Sequence, residues 1–107
     1  MDFLKMMAQA KEMMGKVQET QEALQRLSVT GSAGGGLVTV ETDGRGTVKR
    51  VSIDPTVVNP ADVEMLEDLV AVATQEAQRK ARELAEQEMQ KVAGGLGVGG
   101  LPFKLPF

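Results

Sequence analysis

The side chains of this sequence most able to engage a charged ligand are its lysines and arginines, and they are unevenly spread. Arg45, Lys49 and Arg50 lie together, Arg79, Lys80 and Arg82 form a second group, and Lys5, Lys11 and Lys16 recur near the start. Guanidinium and ammonium groups in such clusters contact phosphates, and those contacts position a nucleic acid without reading its bases. The competing explanation is a solvated face that serves solubility and intrahelical pairing. The total charge of −3 and the pI near 4.9 weigh against nucleic acid. A local positive field nevertheless survives a negative total, because screening confines its competitors to about 8 Å at physiological salt. There is no interleaved aromatic platform on which single strands would stack, so duplex DNA is the better match.

Three other groupings suggest chemistry, and each has a plainer explanation. Asp62, Glu64, Glu67 and Asp68 form an acidic cluster that suggests Mg²⁺ or Ca²⁺. On a helix Asp62, Glu64 and Glu67 diverge, and acids in a first turn simply oppose the helix dipole. The methionines could supply thioethers to Cu(I), but without Cys or His partners they read as a deformable apolar seam. The run Gly34-Gly35-Gly36 could cradle a phosphate, yet no Lys-Ser or Lys-Thr follows it and it leads into a strand, so a turn is the reading.

The sequence has no Cys, His, Trp or Tyr. Disulfides, thiolate metal sites and Ser-His or Cys-His nucleophile pairs are therefore unavailable, and no catalytic residue, metal or cofactor is expected. Asp2 stands where a basic leader would be, and no apolar run approaches a membrane span, so a cytoplasmic protein without membrane contact is expected.

The elements that must position the basic clusters are legible as periodicities. In residues 3–27, Phe3, Met6, Ala10, Met13, Val17, Leu24 and Leu27 follow three-four spacing, with Met7 and Met14 widening the stripe. This predicts a long amphipathic helix. Residues 29–33, 37–42 and 47–53 alternate with β-branched residues, which predicts three strands of an antiparallel meander. Asp43-Gly44 lies in the second turn, where a cheap positive φ is expected. Alternation places Lys49, Val51 and Ile53 on one face and Val48, Arg50 and Ser52 on the other. Asn59 then reads as an N-cap with Pro60 at the first helical position. The second helix runs to about Val92 along Leu66, Val70, Ala73, Ala77, Ala81 and Leu84. One domain over 1–93 is expected, followed by a Gly-rich, flexible, apolar tail, 94–107, in which Leu-Pro-Phe occurs twice. The tail is either a loose end or a docking strip for a partner.

Lengths carry a quaternary expectation. The helices should span about 37 and 50 Å, against about 20 Å for the strands. Overhanging apolar stripes imply an interface, and a symmetric homodimer with projecting helical arms is the simplest one. Phe3, Met6, Met13, Val17, Leu66, Val70, Ala73 and Ala77 are its expected residues.

Three segments carry a resemblance: MMAQAKEMM, VTGSAGGGLVTVETDGRGTVKRVSIDP and EMLEDLVAVATQEAQRKARELAEQEM. The sequence resembles the YbaB/EbfC family of small bacterial nucleoid-associated proteins. The middle segment is the most specific, above all Val29-Thr30-Gly31, Gly35-Gly36-Leu37-Val38 and Val51-Ser52-Ile53-Asp54-Pro55. The resemblance implies an α+β fold, a tweezer-like homodimer and non-catalytic DNA binding of low sequence selectivity in the nucleoid, with links to chromosome organisation and gene expression. It supplies no contact residues. Arg45, Lys49, Arg50, Arg79, Lys80, Arg82, Lys5, Lys11 and Lys16 are candidates from charge and position alone. The rival class is a protein-interaction module that docks a partner through the helical arms or the Leu-Pro-Phe tail.

Overall fold

A computed structural model describes residues 2–95. Helix α1 (Phe3–Gln25) is followed by strands β1 (Val29–Ala33), β2 (Val38–Thr42) and β3 (Val48–Ile53), a single 3-10 turn (Pro55–Val57) and helix α2 (Val63–Gly95). The fold is α+β, with the three strands antiparallel in the order β1-β2-β3. The expected tail lies outside the described residues except for Gly94 and Gly95, which continue α2.

Both turns of the meander depend on glycine. Gly34, Gly35 and Gly36 all have positive φ, which lets β1 fold back so that Ala33 faces Val38. In the second turn Gly46, not Gly44, takes the left-handed conformation, at φ 88°. The Asp43 N–H donates to the Thr47 carbonyl at 2.9 Å, and the Gly46 N–H donates to the Asp43 carbonyl at 3.1 Å. That is a three-residue hairpin loop with the left-handed residue last. Gly44 is glycine for another reason. Its N–H donates to the Leu24 carbonyl at 2.7 Å, and a Cβ there would press on the same oxygen.

A bulge changes which residues share a face of β3. Glu41 pairs with Arg50 and Thr42 with Val48, leaving Lys49 as the extra residue. Directly paired residues point to the same side, so Val48 joins Val51 and Ile53 beside Thr42, Val40 and Val38. Simple alternation separates Val48 from Val51, and the bulge corrects that expectation. It also frees Lys49 from the core side: the side chain is exposed and its Nζ donates to the Leu27 carbonyl at 3.1 Å.

Helix α2 lies over β1 and β2. Ala33, Val38, Val40, Val57, Ala73 and Ala77 form the buried core, with Leu66, Leu69 and Val70 packed around it. Small residues on α2 allow close approach to Gly31, where a Cβ would collide with the backbone of Ala73 and Ala77. The helix starts later than its sequence suggests. Asn59 Oδ1 accepts from the Ala61 N–H, and the Asn59 carbonyl accepts from the Asp62 N–H, which makes Asn59-Pro60-Ala61 a turn. Asp62 is the cap, its Oδ1 accepting from the Met65 N–H at 3.2 Å.

Beyond the sheet α1 and α2 pack on each other. Leu24 is buried on α1 and Met89 on α2, with Met13 and Val17 half-buried. This helical arm makes the molecule long, 70 × 25 × 16 Å, with a radius of gyration of 19.2 Å against about 13 Å for a compact chain of this size.

Candidate nucleic-acid interface

The nine basic candidates separate into engaged and free groups. Arg79 Nη1 meets Glu83 Oε1 at 2.8 Å, and Lys80 Nζ meets Glu76 Oε1 at 3.0 Å. Lys80 also donates to the Thr30 carbonyl at 3.2 Å, so it serves the outer edge of β1. Glu76 sits below the ordinary glutamate range, chiefly through the hydrogen bond from Lys80 and, to a lesser degree, one from the Ser32 N–H. Among the described residues, no carboxylate lies within ion-pair distance of Arg45, Arg50, Arg82, Lys5, Lys11 or Lys16.

Two basic residues without a carboxylate partner among the described residues, Arg45 and Lys49, meet at one junction. The buried Asp43 carboxylate accepts from the backbone N–H groups of Arg45 and Thr47 at 2.8 and 3.0 Å, which holds the turn rigid with the Arg45 side chain outside. Gly44 ties this turn to the end of α1, and Lys49 reaches the carbonyl of Leu27 just beyond it. Gln78 Nε2 donates to the Gly46 carbonyl at 3.2 Å, bringing in α2. Arg82 stands one helical turn past Gln78 on the same flank. Arg45 and Lys49 therefore stand at the point where hairpin, α1 and α2 meet, whereas Arg50 leaves β3 on the side opposite Val51, with Glu41 as its cross-strand neighbour, and Arg82 lies further along α2.

Arg26, exposed at the end of α1, is a further cation near this junction that the charge clusters omit. It caps α1 between Leu24 and Leu27, the two residues whose carbonyls the hairpin engages. The available signal was a cation at a helix C-terminus, which is easily assigned to the dipole alone. Lys5, Lys11 and Lys16 are exposed along the arm, away from the junction.

The expected interface residues also divide. Ala73 and Ala77 are wholly buried under β1 and β2 within this chain, so they offer a second copy no surface. Met13, Val17, Leu66 and Val70 are half-buried in intrachain contacts, while Phe3 and Met6 are exposed. The apolar surface left open on the body is elsewhere: Val48, Val51 and Ile53 of β3 are 43, 42 and 39 % exposed, because α2 covers only β1 and β2.

Comparison with known proteins agrees with this architecture. A nucleoid-associated protein of Gemmatimonas aurantiaca is 50 % identical over 107 residues and is covered, like this chain, over its full length. A nucleoid-associated protein of Rhodococcus opacus is 46 % identical over 101 residues, 94 % of this chain and 89 % of its own length. The crystal structure of the uncharacterized protein HP0035 from Helicobacter pylori superposes with a TM-score of 0.73 at 21 % identity, covering 90 % of this chain and 97 % of the other, a likeness of fold. Residues 1–96 match the YbaB/EbfC DNA-binding family profile, and the chain belongs to that family.

Proposed function

We propose that this chain binds duplex DNA as a homodimer, without catalysis and with low sequence selectivity, and that it acts in the nucleoid on DNA conformation, chromosome organisation and gene expression. Membership of a DNA-binding family carries the reading. The relatives' name, nucleoid-associated protein, supports the location. Arg26, Arg45, Lys49, Arg50 and Arg82 supply the chemistry, since such groups displace counterions from phosphates and select no base. Lys5, Lys11 and Lys16 extend the contact along the arm, and Arg79 and Lys80 join it when DNA phosphates compete with Glu83 and Glu76.

Self-association is supported by the two unlike edges of the sheet. On β1, the outward Thr30 carbonyl accepts from Lys80, which in turn pairs with Glu76. On β3, the outer edge and the three apolar side chains beside it are uncovered. An open apolar edge is what a second copy would cover. A dimer built there doubles each cation about its dyad.

The test is a mobility-shift titration over a range of salt. Affinity should fall with a slope of about −0.9 per phosphate contact. Replacing Arg45, Lys49 and Arg50 with alanine should flatten that slope, and an unchanged slope removes the hairpin from the interface. A second reading, docking of a protein partner through the arm or the tail, is favoured by the exposed apolar residues Phe3, Leu4, Met6 and Met7 at the arm tip. Absence of any shift at low salt would favour it over DNA.

A further inference from the structure

Counting along the two helices from a shared anchor brings their outer ends together. The hairpin turn holds α1 at Leu24, whose carbonyl accepts from Gly44, and holds α2 at Gln78, which donates to Gly46. From Leu24 back to Phe3 is about 31 Å of helix, and from Gln78 onward to Gly95 about 26 Å. The helices run antiparallel along the arm, with Leu24 and Met89 buried. Helix α1 therefore outruns α2 by about one turn.

The apolar residues of α1 are uncovered at that tip. Phe3 is 70 % exposed, Leu4 76 %, Met6 52 % and Met7 54 %. The chain leaves α2 at Gly95, beside this row, and continues through residues 96–107 as LGVGGLPFKLPF. Leu96, Val98, Leu101, Phe103, Leu105 and Phe107 supply apolar groups, against a single charged side chain, Lys104.

We propose that residues 101–107 fold back onto the N-terminal turns of α1 in the same chain and cover Phe3, Leu4, Met6 and Met7 with their two Leu-Pro-Phe units. Reach is ample: twelve residues extend to about 40 Å, and the row to be covered rises about 6 Å along the helix. Gly97, Gly99 and Gly100 let the connection reverse direction. A short tether supplies an effective concentration in the millimolar range, so a contact too weak to hold a separate partner suffices here. Pro102 and Pro106 restrict the free segment and reduce the ordering entropy of docking. The methionines suit such a contact, because an unbranched thioether adapts to an aromatic ring and gains from its edge. The result is an arm tip whose apolar patch is masked by its own chain rather than presented to other molecules. This inference is independent of DNA binding.

The experiment uses the full chain with isotope-labelled methionine methyl groups. Cysteine is absent from the sequence, so Lys104→Cys places one spin label in the tail. The label should broaden the Met6 and Met7 methyl signals at least several-fold more than that of Met89. The double variant Phe103→Leu and Phe107→Leu, without the label, should shift Met6 and Met7 by removing ring currents while leaving Met89 in place. A co-refolded mixture of spin-labelled chain and isotope-labelled chain lacking the spin label should leave Met6 and Met7 sharp. Broadening in that mixture would put the tail on a second copy, and Met6 and Met7 signals left unshifted by the Phe103→Leu and Phe107→Leu variant would mean no docking, whatever broadening the nearby tether at Gly95 produces. Either result overturns the proposal.

Discussion

Gly31 of β1 and Ala77 of α2 meet backbone to backbone, leaving no room for a Cβ on the strand. Helix and sheet approach through this contact, and neither side can yield by rotating a side chain. Gly31→Ala should therefore separate α2 from β1, and we expect a loss of at least about 2 kcal/mol in denaturant unfolding. Gly15→Ala is the control. Gly15 is an exposed helical position with open space around it, and alanine there should stabilise by up to about 1 kcal/mol.

Asp43 determines where Arg45 is presented. Its buried carboxylate satisfies two backbone N–H groups, at 2.8 and 3.0 Å. Asp43→Ala leaves both without a partner, and about 2 kcal/mol of stability should be lost. Asp43→Asn keeps one acceptor oxygen and should lose less. If DNA affinity falls in Asp43→Asn while its thermal midpoint stays near that of the parent chain, the rigidity of the turn matters to binding in its own right.

The uncovered side of β3 makes a separate prediction. Val51 and Ile53 are partly exposed in the single chain, so lysine at either position costs the monomer little. In a dimer built on β3, the same substitution buries an unpaired charge. If the proposed dimer forms through β3, sedimentation should show the parent chain as a dimer and Val51→Lys and Ile53→Lys as folded monomers at the same concentration. A Val72→Lys control, on an exposed part of α2, should remain a dimer. Dimers of all three variants would rule out β3 as the interface.

Acid should loosen the covered edge of the sheet. Glu76 is held below the ordinary glutamate range, first by Lys80, and Asp54 is held below the ordinary aspartate range, first by the Thr56 hydroxyl. A carboxylate depressed in the folded state contributes stability above its unfolded-chain value. That contribution is lost as pH falls through the folded-state value. Both groups are exposed, so the effects are small and salt-screened. Glu76→Gln should reduce stability at neutral pH, and its difference from the parent chain should shrink on acidification below the ordinary glutamate range. A difference that does not change with pH would detach Glu76 from the acid limb.

The sequence by itself determined the elements and their order, because period and punctuation are local properties. The three-four spacing of Met13, Val17 and Leu24, the alternation of Val38 and Val40, and the triple glycine act within a few residues and need no tertiary partner. The line Leu66, Val70, Ala73, Ala77, Ala81 and Leu84 likewise marked the face that α2 turns inward. Tertiary structure decided what depends on the registration of distant segments. The bulge at Lys49 is a mismatch between two strands and reassigns Val48. Gly44 is dictated by Leu24, twenty residues away, and not by its own φ. Ala73 and Ala77 are spent inside the chain because β1 carries a glycine opposite them. The ion pairs of Arg79 with Glu83 and Lys80 with Glu76, and the meeting of the Arg45 turn and Lys49 at the end of α1, could not be read from charge spacing. Whether a cation is free depends on which carboxylates and carbonyls the fold brings within a few ångströms of it.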